Sequence, residues 1–334
     1  MINWAERTPV GSTGLALPRI GLGTASLGNF LEAMSDDDAV SVIRRALGVG
    51  ITYIDTAPLY GHGLAESRVG SAIEPTPRDQ LVLSTKVGRL LREGAPHDET
   101  QYHDGEPFYK DVPSAGPLWD FSHDGITASV AESCARVGVD QFEILLLHDP
   151  DDHFREASST GYAALADFRA QGAVRAIGAG MNRTEVQTAL VRECDLDIVL
   201  VAGRYTLLDQ SALDALLPAC VERDVAVVIG GVFNSGILAD PSPGSRFDYI
   251  PASTDVHARV AQLQEICRRH GVPLAAAALQ FPFGHPQVRS VLVGPRSTSE
   301  LDHNLEMLAV EIPPALWDDL RRAGAIHVDA PVPV

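Results

Sequence analysis

The 334-residue chain is short of positive charge: 26 Lys and Arg stand against 44 Asp and Glu, a formal net charge of −18. A surface that negative repels nucleic acid and anionic lipid, so neither is expected as a partner. Long apolar runs are also missing. None approaches the ~18 residues that cross a bilayer, and no membrane span is expected. The opening residues Met1 to Arg7 lack the basic and then apolar blocks of a signal peptide. Cysteine is scarce. Cys134, Cys194, Cys220 and Cys267 lie far apart and form no CxxC pair. They read as free thiols in helical or helix-edge patterns, and the compartment as reducing cytoplasm. No internal repeat or low-complexity tract breaks the chain. Its 45% hydrophobic and 21% charged residues are ordinary globular composition.

What is present is an alternation. Short runs rich in Val, Ile and Leu recur at Ile20 to Gly23, Thr52 to Ile54, Leu81 to Leu83, Phe142 to Leu147, Val174 to Ile177, Ile198 to Val201, Val225 to Ile229 and Val288 to Val293. Runs of this kind suit parallel strands buried on both faces. Amphipathic segments lie between them, the first from Asp36 to Val49 with Ser35 or Asp36 as cap and Gly50 as stop. Eight βα units without a linker predict one α/β domain over residues 1–334, a (β/α)8 TIM barrel. An open doubly wound sheet is the alternative, because strand count alone does not show closure.

Three segments break the rhythm. Residues 7–19 read as a hairpin turning at Gly11 to Gly14, placed to plug the barrel floor. Residues 87–121 and 231–253 read as long loops after strands, which puts both on the C-terminal face where barrels carry their active sites. Trp119, Phe121 and His123 are candidates for lining that site, with loop packing an equal reading.

The chemistry lies at strand ends. One strand runs into Asp55, the next into Lys86 and the next into His148, and a Pro-containing loop presents Tyr60. In a barrel those ends converge. An ammonium beside a phenol favours phenolate and lowers its pKa from a reference of about 10. A carboxylate keeps the lysine charged and oriented, and a neutral histidine holds a substrate oxygen. Together the four groups fit proton transfer at an oxygen, one half of alcohol–carbonyl interconversion. The hydride must come from a cofactor, because no side chain supplies one.

The segments Tyr53 to Gly61 and Glu66 to Gly70 resemble the signature of the aldo-keto reductase superfamily, and the resemblance runs from Gly21 to the Ser297–Asn304 region. It implies a (β/α)8 barrel using NAD or NADP, with Tyr60, Lys86, Asp55 and His148 as catalytic tetrad. Leu147 to His153, Ile177 to Asn182 and Gly203 to Gln210 resemble the aldose 1-dehydrogenase branch, which includes D-threo-aldose and L-fucose dehydrogenases and a relative that oxidises pyridoxal. The implied reaction is oxidation of the C1 hydroxyl of a cyclic sugar to a lactone, with Tyr60 as acid and base. Pyridoxal or a general aldehyde is the alternative small-molecule substrate.

The resemblance also implies cofactor contacts. Gly23 and Thr24 end the first strand beside the cofactor. Asn182 matches the residue that bonds the nicotinamide carboxamide, although Gly180-Met181 replace the usual serine, Ala202 a glutamine and Gly230 a stacking aromatic ring. The loop Phe233, Asn234, Ser235, Gly236, Ile237 and Leu238 would bring backbone N–H groups to the pyrophosphate. Gly294, Arg296, Ser297, Glu300 and Asn304 would receive the adenosine end at a helix N-terminus. Glu300 stands where NADP-preferring relatives often carry Arg. A carboxylate there repels a 2′-phosphate and accepts a hydrogen bond from a free ribose hydroxyl, so NAD is the expected cofactor.

Two weaker motifs are read structurally. Gly21-Leu22-Gly23-Thr24 lacks the third glycine and the later acidic residue of a dinucleotide fingerprint. His148 to His153 holds metal-ligand types, but consecutive loop residues cannot all converge on one ion, so no metal is expected. A metal-dependent barrel hydrolase and a non-catalytic cofactor-binding subunit are the readings from other classes.

Overall fold

The computed structural model describes residues 2–333. Apolar runs that need burial on both faces find it in a closed parallel ring. The eight strands are β1 (Ile20–Gly23), β2 (Tyr53–Asp55), β3 (Val82–Val87), β4 (Ile144–His148), β5 (Ala176–Met181), β6 (Ile198–Ala202), β7 (Ala226–Gly230) and β8 (Val288–Val293). Each pairs in parallel with the next, and β8 pairs with β1, which closes the barrel. The fold is therefore the (β/α)8 barrel that the sequence predicts, and the open sheet is excluded.

Amphipathic helices cover the outside. Helix Asp36–Gly48 is capped by Ser35, whose side chain accepts from Asp38 N–H, and the chain leaves it through Gly50 at φ +89°. Apolar helix faces and outward strand residues form one core. A second core fills the barrel itself, built from inward residues such as Tyr53, Ile144, Ile198 and Val228.

The hairpin pairs Arg7–Val10 with Leu15–Pro18. Val10, Leu15 and Leu17 pack into the interior core, so the hairpin closes the barrel floor. The mouth at the opposite end is the open one.

The long loops carry more order than their composition predicts. Within 87–121, Arg89–Arg92 pairs with Gly116–Trp119 and Tyr102–His103 pairs with Glu106–Pro107. Within 231–253, Arg246–Phe247 pairs with Ile250–Pro251. Pro and Gly mask such short ladders in sequence. Helix Leu274–Gln280 was also not expected; it is apolar on all sides and therefore has no helical periodicity to read. Helix Pro314–Arg322, which starts on the second proline of the Pro313-Pro314 pair, is a further addition.

Leu17 is fully buried in the floor of the barrel. Leu17→Ala is expected to lower unfolding free energy by about 2–5 kcal/mol, measured by denaturant titration. A change within ~0.5 kcal/mol contradicts a packed plug.

Candidate active site

Parallel strands deliver their C-terminal ends to one mouth. Asp55 ends β2, Lys86 lies one residue before the end of β3, and His148 ends β4. Lys86 Nζ donates to Asp55 Oδ2 at 2.6 Å and to the Thr56 carbonyl at 3.1 Å, and both charged side chains are only 2% exposed. Ser84 Oγ donates to Asp55 Oδ1 at 2.7 Å. Both carboxylate oxygens are thus engaged, and Asp55 anchors Lys86. A Cβ at residue 180 would come within 3.2 Å of Lys86 Cε, so Gly180 leaves room for the lysine stem.

Tyr60 sits on the turn after β2. Its backbone lies hard against Gly28, where a Cβ would stand 2.7 Å from the Tyr60 carbonyl carbon. This close approach fixes the turn. Lys86 Nζ is 4.5 Å from the centre of the Tyr60 ring. The His148 ring meets Tyr60 edge-on, with centroids 5.9 Å apart at 89°. The structure therefore brings together all four residues expected at the strand ends.

The electrostatics differ from the expectation in one respect. Lys86 was expected to lower the Tyr60 pKa. Instead desolvation, then the charges of Asp55 and Asp149 and the Tyr249 hydroxyl, push it well above its ordinary value, with Arg89 opposing. The reason is geometric: the Lys86 charge is already met by Asp55. His148 is pushed well below its ordinary value by burial, then by Arg89 and Lys86. Around neutral pH the mouth thus holds a protonated phenol beside a neutral imidazole. His148 Nδ1 has no hydrogen-bond partner, and Nε2 lies 3.5 Å from Asp149 Oδ2.

These groups open on a cavity of about 410 Å³. Sequence reasoning missed several of its walls: Phe30, Arg89, Tyr109, Asp149 and Tyr249. Arg89 follows β3 after Gly88, which turns the chain at φ +96°. A charged residue so close after a strand end was the available signal. Its side chain is 4% exposed, its Nη2 donates to Asp149 Oδ2 at 2.9 Å, and its guanidinium lies 3.9 Å from the Trp119 ring centre. Trp119 lines the cavity, as expected of one reading, whereas Phe121 is buried and His123 is exposed beside Asp167. The acidic run after His148 disperses: Asp149 meets Arg89, Asp151 lies 3.6 Å from Arg183, and His153 packs on Trp119. Among the described residues no group of three or more His, Cys, Asp or Glu is arranged to hold a metal ion.

The residues carried over for a cofactor follow β1, β5, β7 and β8, strands of the ring other than β2 to β4. Asn182 reaches the cavity, beside the small residues Gly180 and Ala202. Gly230 has no ring, but Tyr249 brings one to the cavity from the 231–253 loop. Gly23 approaches Gly294, where a Cβ would stand 3.7 Å from the Gly23 carbonyl oxygen. Thr24 Oγ1 and N–H both donate to the Asp55 carbonyl, so this side chain ties β1 to β2.

The loop after β7 is a tight turn, with Asn234, Ser235 and Gly236 all at positive φ. Asn234 is buried and bonds Thr206 and Gly203, while Leu238 is buried in the core. Asn234, Gly236 and Leu238 donate their N–H groups within the turn, and Phe233 supplies two of the acceptors. Ser235 Oγ receives the Tyr249 N–H. The turn is thus a fixed platform, with fewer amides aimed outward than expected.

Beyond β8, Ser297 caps helix Thr298–Ala309 by accepting from Glu300 N–H at 3.1 Å. Glu300 reaches back to accept from the Arg296 N–H at 2.7 Å, one residue before the cap, which holds its carboxylate at the helix start. Arg296 donates to the carbonyls of Phe30 and Glu32, which turns its guanidinium toward the loop after β1. Asn304 lies half-buried further along the helix.

Comparison with known proteins agrees with this arrangement. The sequence profile described as the Aldo/keto reductase family matches residues 19–325. A D-threo-aldose 1-dehydrogenase of a Pseudomonas species is 44% identical, over 94% of this chain and 96% of its own. A pyridoxal 4-dehydrogenase of Microbacterium luteolum is 38% identical, over 96% and 98%. An aldo-keto reductase of Bacillus halodurans, solved in its holo form, superposes with a TM-score of 0.71 at 25% identity over 93% of each chain.

A phenol with these neighbours keeps its proton at neutral pH. Any turnover that uses Tyr60 as a base is expected to rise as pH climbs toward the elevated pKa. Turnover in the opposite direction uses the protonated phenol and falls only in alkali. Neither profile should step near 6.5, the ordinary histidine value, because His148 titrates well below it. Profiles of kcat/KM in both directions check this; a limb near 6.5 contradicts it.

Proposed function

The chain belongs to the aldo/keto reductase family, which makes it a nicotinamide-dependent oxidoreductase, and from that premise we propose that it oxidises the C1 hydroxyl of an aldose of the L-fucose or D-threo type to a lactone. The observation that carries the reading is the convergence of Tyr60, His148 and Lys86, the last held by Asp55, on one cavity. The 44% identical aldose dehydrogenase supports the sugar as substrate.

Tyr60 first gives its own proton to solvent, then as phenolate takes the C1 hydroxyl proton in oxidation; in reduction the resting phenol donates its proton. Lys86 sits under the ring and offsets the phenolate charge as it forms. Asp55 acts on Lys86 and is a positioning residue. Neutral His148 holds the reacting oxygen by a hydrogen bond. Bound nicotinamide supplies the hydride acceptor. Asn182 would hold its carboxamide, with Gly23 and the Phe233–Leu238 turn beside it, while buried Thr24 would act only by tying β1 to β2. Gly294, Ser297, Glu300 and Asn304 would receive the adenosine end.

NAD is the cofactor we favour over NADP. Glu300 is fixed by its cap at the helix N-terminus, where its charge opposes a 2′-phosphate, and Arg296 is turned away to Phe30 and Glu32. A second reading, oxidation of pyridoxal, draws on the aromatic walls Phe30, Tyr109 and Tyr249 and on the 38% identical relative. We place the enzyme in the cytoplasm, in keeping with four unpaired cysteines, and read residues 1–334 as one functional unit.

A panel of aldoses and pyridoxal with NAD, followed by reduced-cofactor absorbance, tests the substrate. Tyr60→Phe should still bind cofactor and lose about 10²–10⁴-fold in turnover; near-normal turnover rejects the mechanism. Wild-type kcat/KM should favour NAD, and Glu300→Gln should narrow the gap. A strong NADP preference in the wild type overturns the cofactor assignment.

A further inference from the structure

We infer that Arg89 and Asp149 are specificity-determining residues that grip neighbouring hydroxyls of the substrate, and that they suit a neutral polyhydroxylated molecule over an anionic one. The inference rests on the aldose reading and adds to it the residues that recognise the sugar.

Among the described residues Arg89 is the one arginine with two buried, unpartnered guanidinium nitrogens. Its guanidinium is buried, yet Nε and Nη1 have no hydrogen-bond partner, and only Nη2 is engaged, by one oxygen of Asp149. A guanidinium presents five N–H donors in a rigid fork, and buried donors of a charged group are costly to leave unmet. Trp119 holds the fork in place from one side. Arg89 lines the same cavity as Tyr60 and His148, with its unmet donors closed to solvent in the free protein.

Asp149 completes the pair. It stands directly after His148, in a left-handed conformation at φ +40°. Its Oδ2 faces both Arg89 and His148, and the carboxylate also borders the cavity. A hydroxyl group both donates and accepts. Two adjacent hydroxyls are therefore matched by a fork that donates beside a carboxylate that accepts. A carbonyl compound without hydroxyls leaves this pair unmet.

Charge selects against anions. Lys86 is neutralised by Asp55. The remaining charged walls are Asp98, Asp149, Asp151 and Asp152 against Arg89 and Arg183. A phosphate or carboxylate on the substrate would meet four carboxylates and two guanidiniums, both of which already lie near an aspartate.

The test compares L-fucose oxidation with NAD against 4-nitrobenzaldehyde reduction with NADH in the wild type, Arg89→Met, Arg89→Lys and Asp149→Asn. Arg89→Met should raise KM for L-fucose by about 10–100-fold, the usual weight of hydrogen bonds to a charged group. The loss on the hydroxyl-free aldehyde should be far smaller. Arg89→Lys should not restore the sugar, because an ammonium lacks the fork. If Arg89→Met does not fold, Asp149→Asn keeps the shape and should show the same bias against the sugar. Equal losses on both substrates, or a fall in kcat alone, would assign the pair to holding His148 and overturn the inference. Unchanged L-fucose kinetics in the variants overturn it while leaving the aldose reading intact. A wild type that reduces the aldehyde but oxidises no aldose overturns both. Sulfate that competes with L-fucose contradicts the preference for a neutral substrate.

Discussion

The buried ion pair between Lys86 and Asp55 organises the mouth of the barrel. Two charges withdrawn from water must satisfy each other closely, and loss of one partner from such a pair costs about 3–5 kcal/mol. The pair is held from every side: Ser84 takes the second carboxylate oxygen, the Thr56 carbonyl takes another lysine proton, and Gly180 yields the space. Because β2 and β3 each supply one partner, it also fixes their register at the end where chemistry occurs. Its further effect is electrostatic. With its charge already met, Lys86 does not draw the resting Tyr60 into phenolate, and the site rests as an acid.

A second buried network shapes the loops around that pair. Arg68 donates to the carbonyls of Leu27 and Met34, to Asn29 Oδ1 and to Asp36. It thereby dictates the path of the loop after β1, which brings Gly28 against the Tyr60 turn and Phe30 to the cavity. Glu66, fully buried, ties Thr85 on β3 to Arg136 on helix His123–Val137. The Glu66-Ser67-Arg68 segment thus acts on the site at one remove, by holding the elements that hold Tyr60 and Lys86.

How much of this could be read from the sequence follows from how local each signal is. Val, Ile and Leu runs must be buried wherever they lie, so all eight strands could be recognised, and with them the strand-end residues Asp55, Lys86 and His148. The hairpin announced itself by its Gly-rich turn. Tyr109 and Tyr249 gave no comparable signal, and Arg89 only its place just after a strand end. They reach the cavity because short ladders inside Pro- and Gly-rich loops fold back over the mouth, and that path depends on tertiary contacts. Glu300 was legible as a charge but not as a cap: its link to the Arg296 N–H depends on where the helix begins. The expectation for Tyr60 failed because proximity to a lysine was visible and the prior claim of Asp55 on that lysine was not weighed.

Three loops from separate strands meet over the mouth. Phe30 follows β1, Phe108 follows β3 and Tyr249 follows β7, and their rings touch pairwise at centroid distances of 5.1 to 6.0 Å. No one loop can lift without breaking contacts to the other two, so the roof behaves as a keystone arch and not as a single hinged flap. A substitution at any one of the three rings is therefore felt at the strand ends that carry the other two.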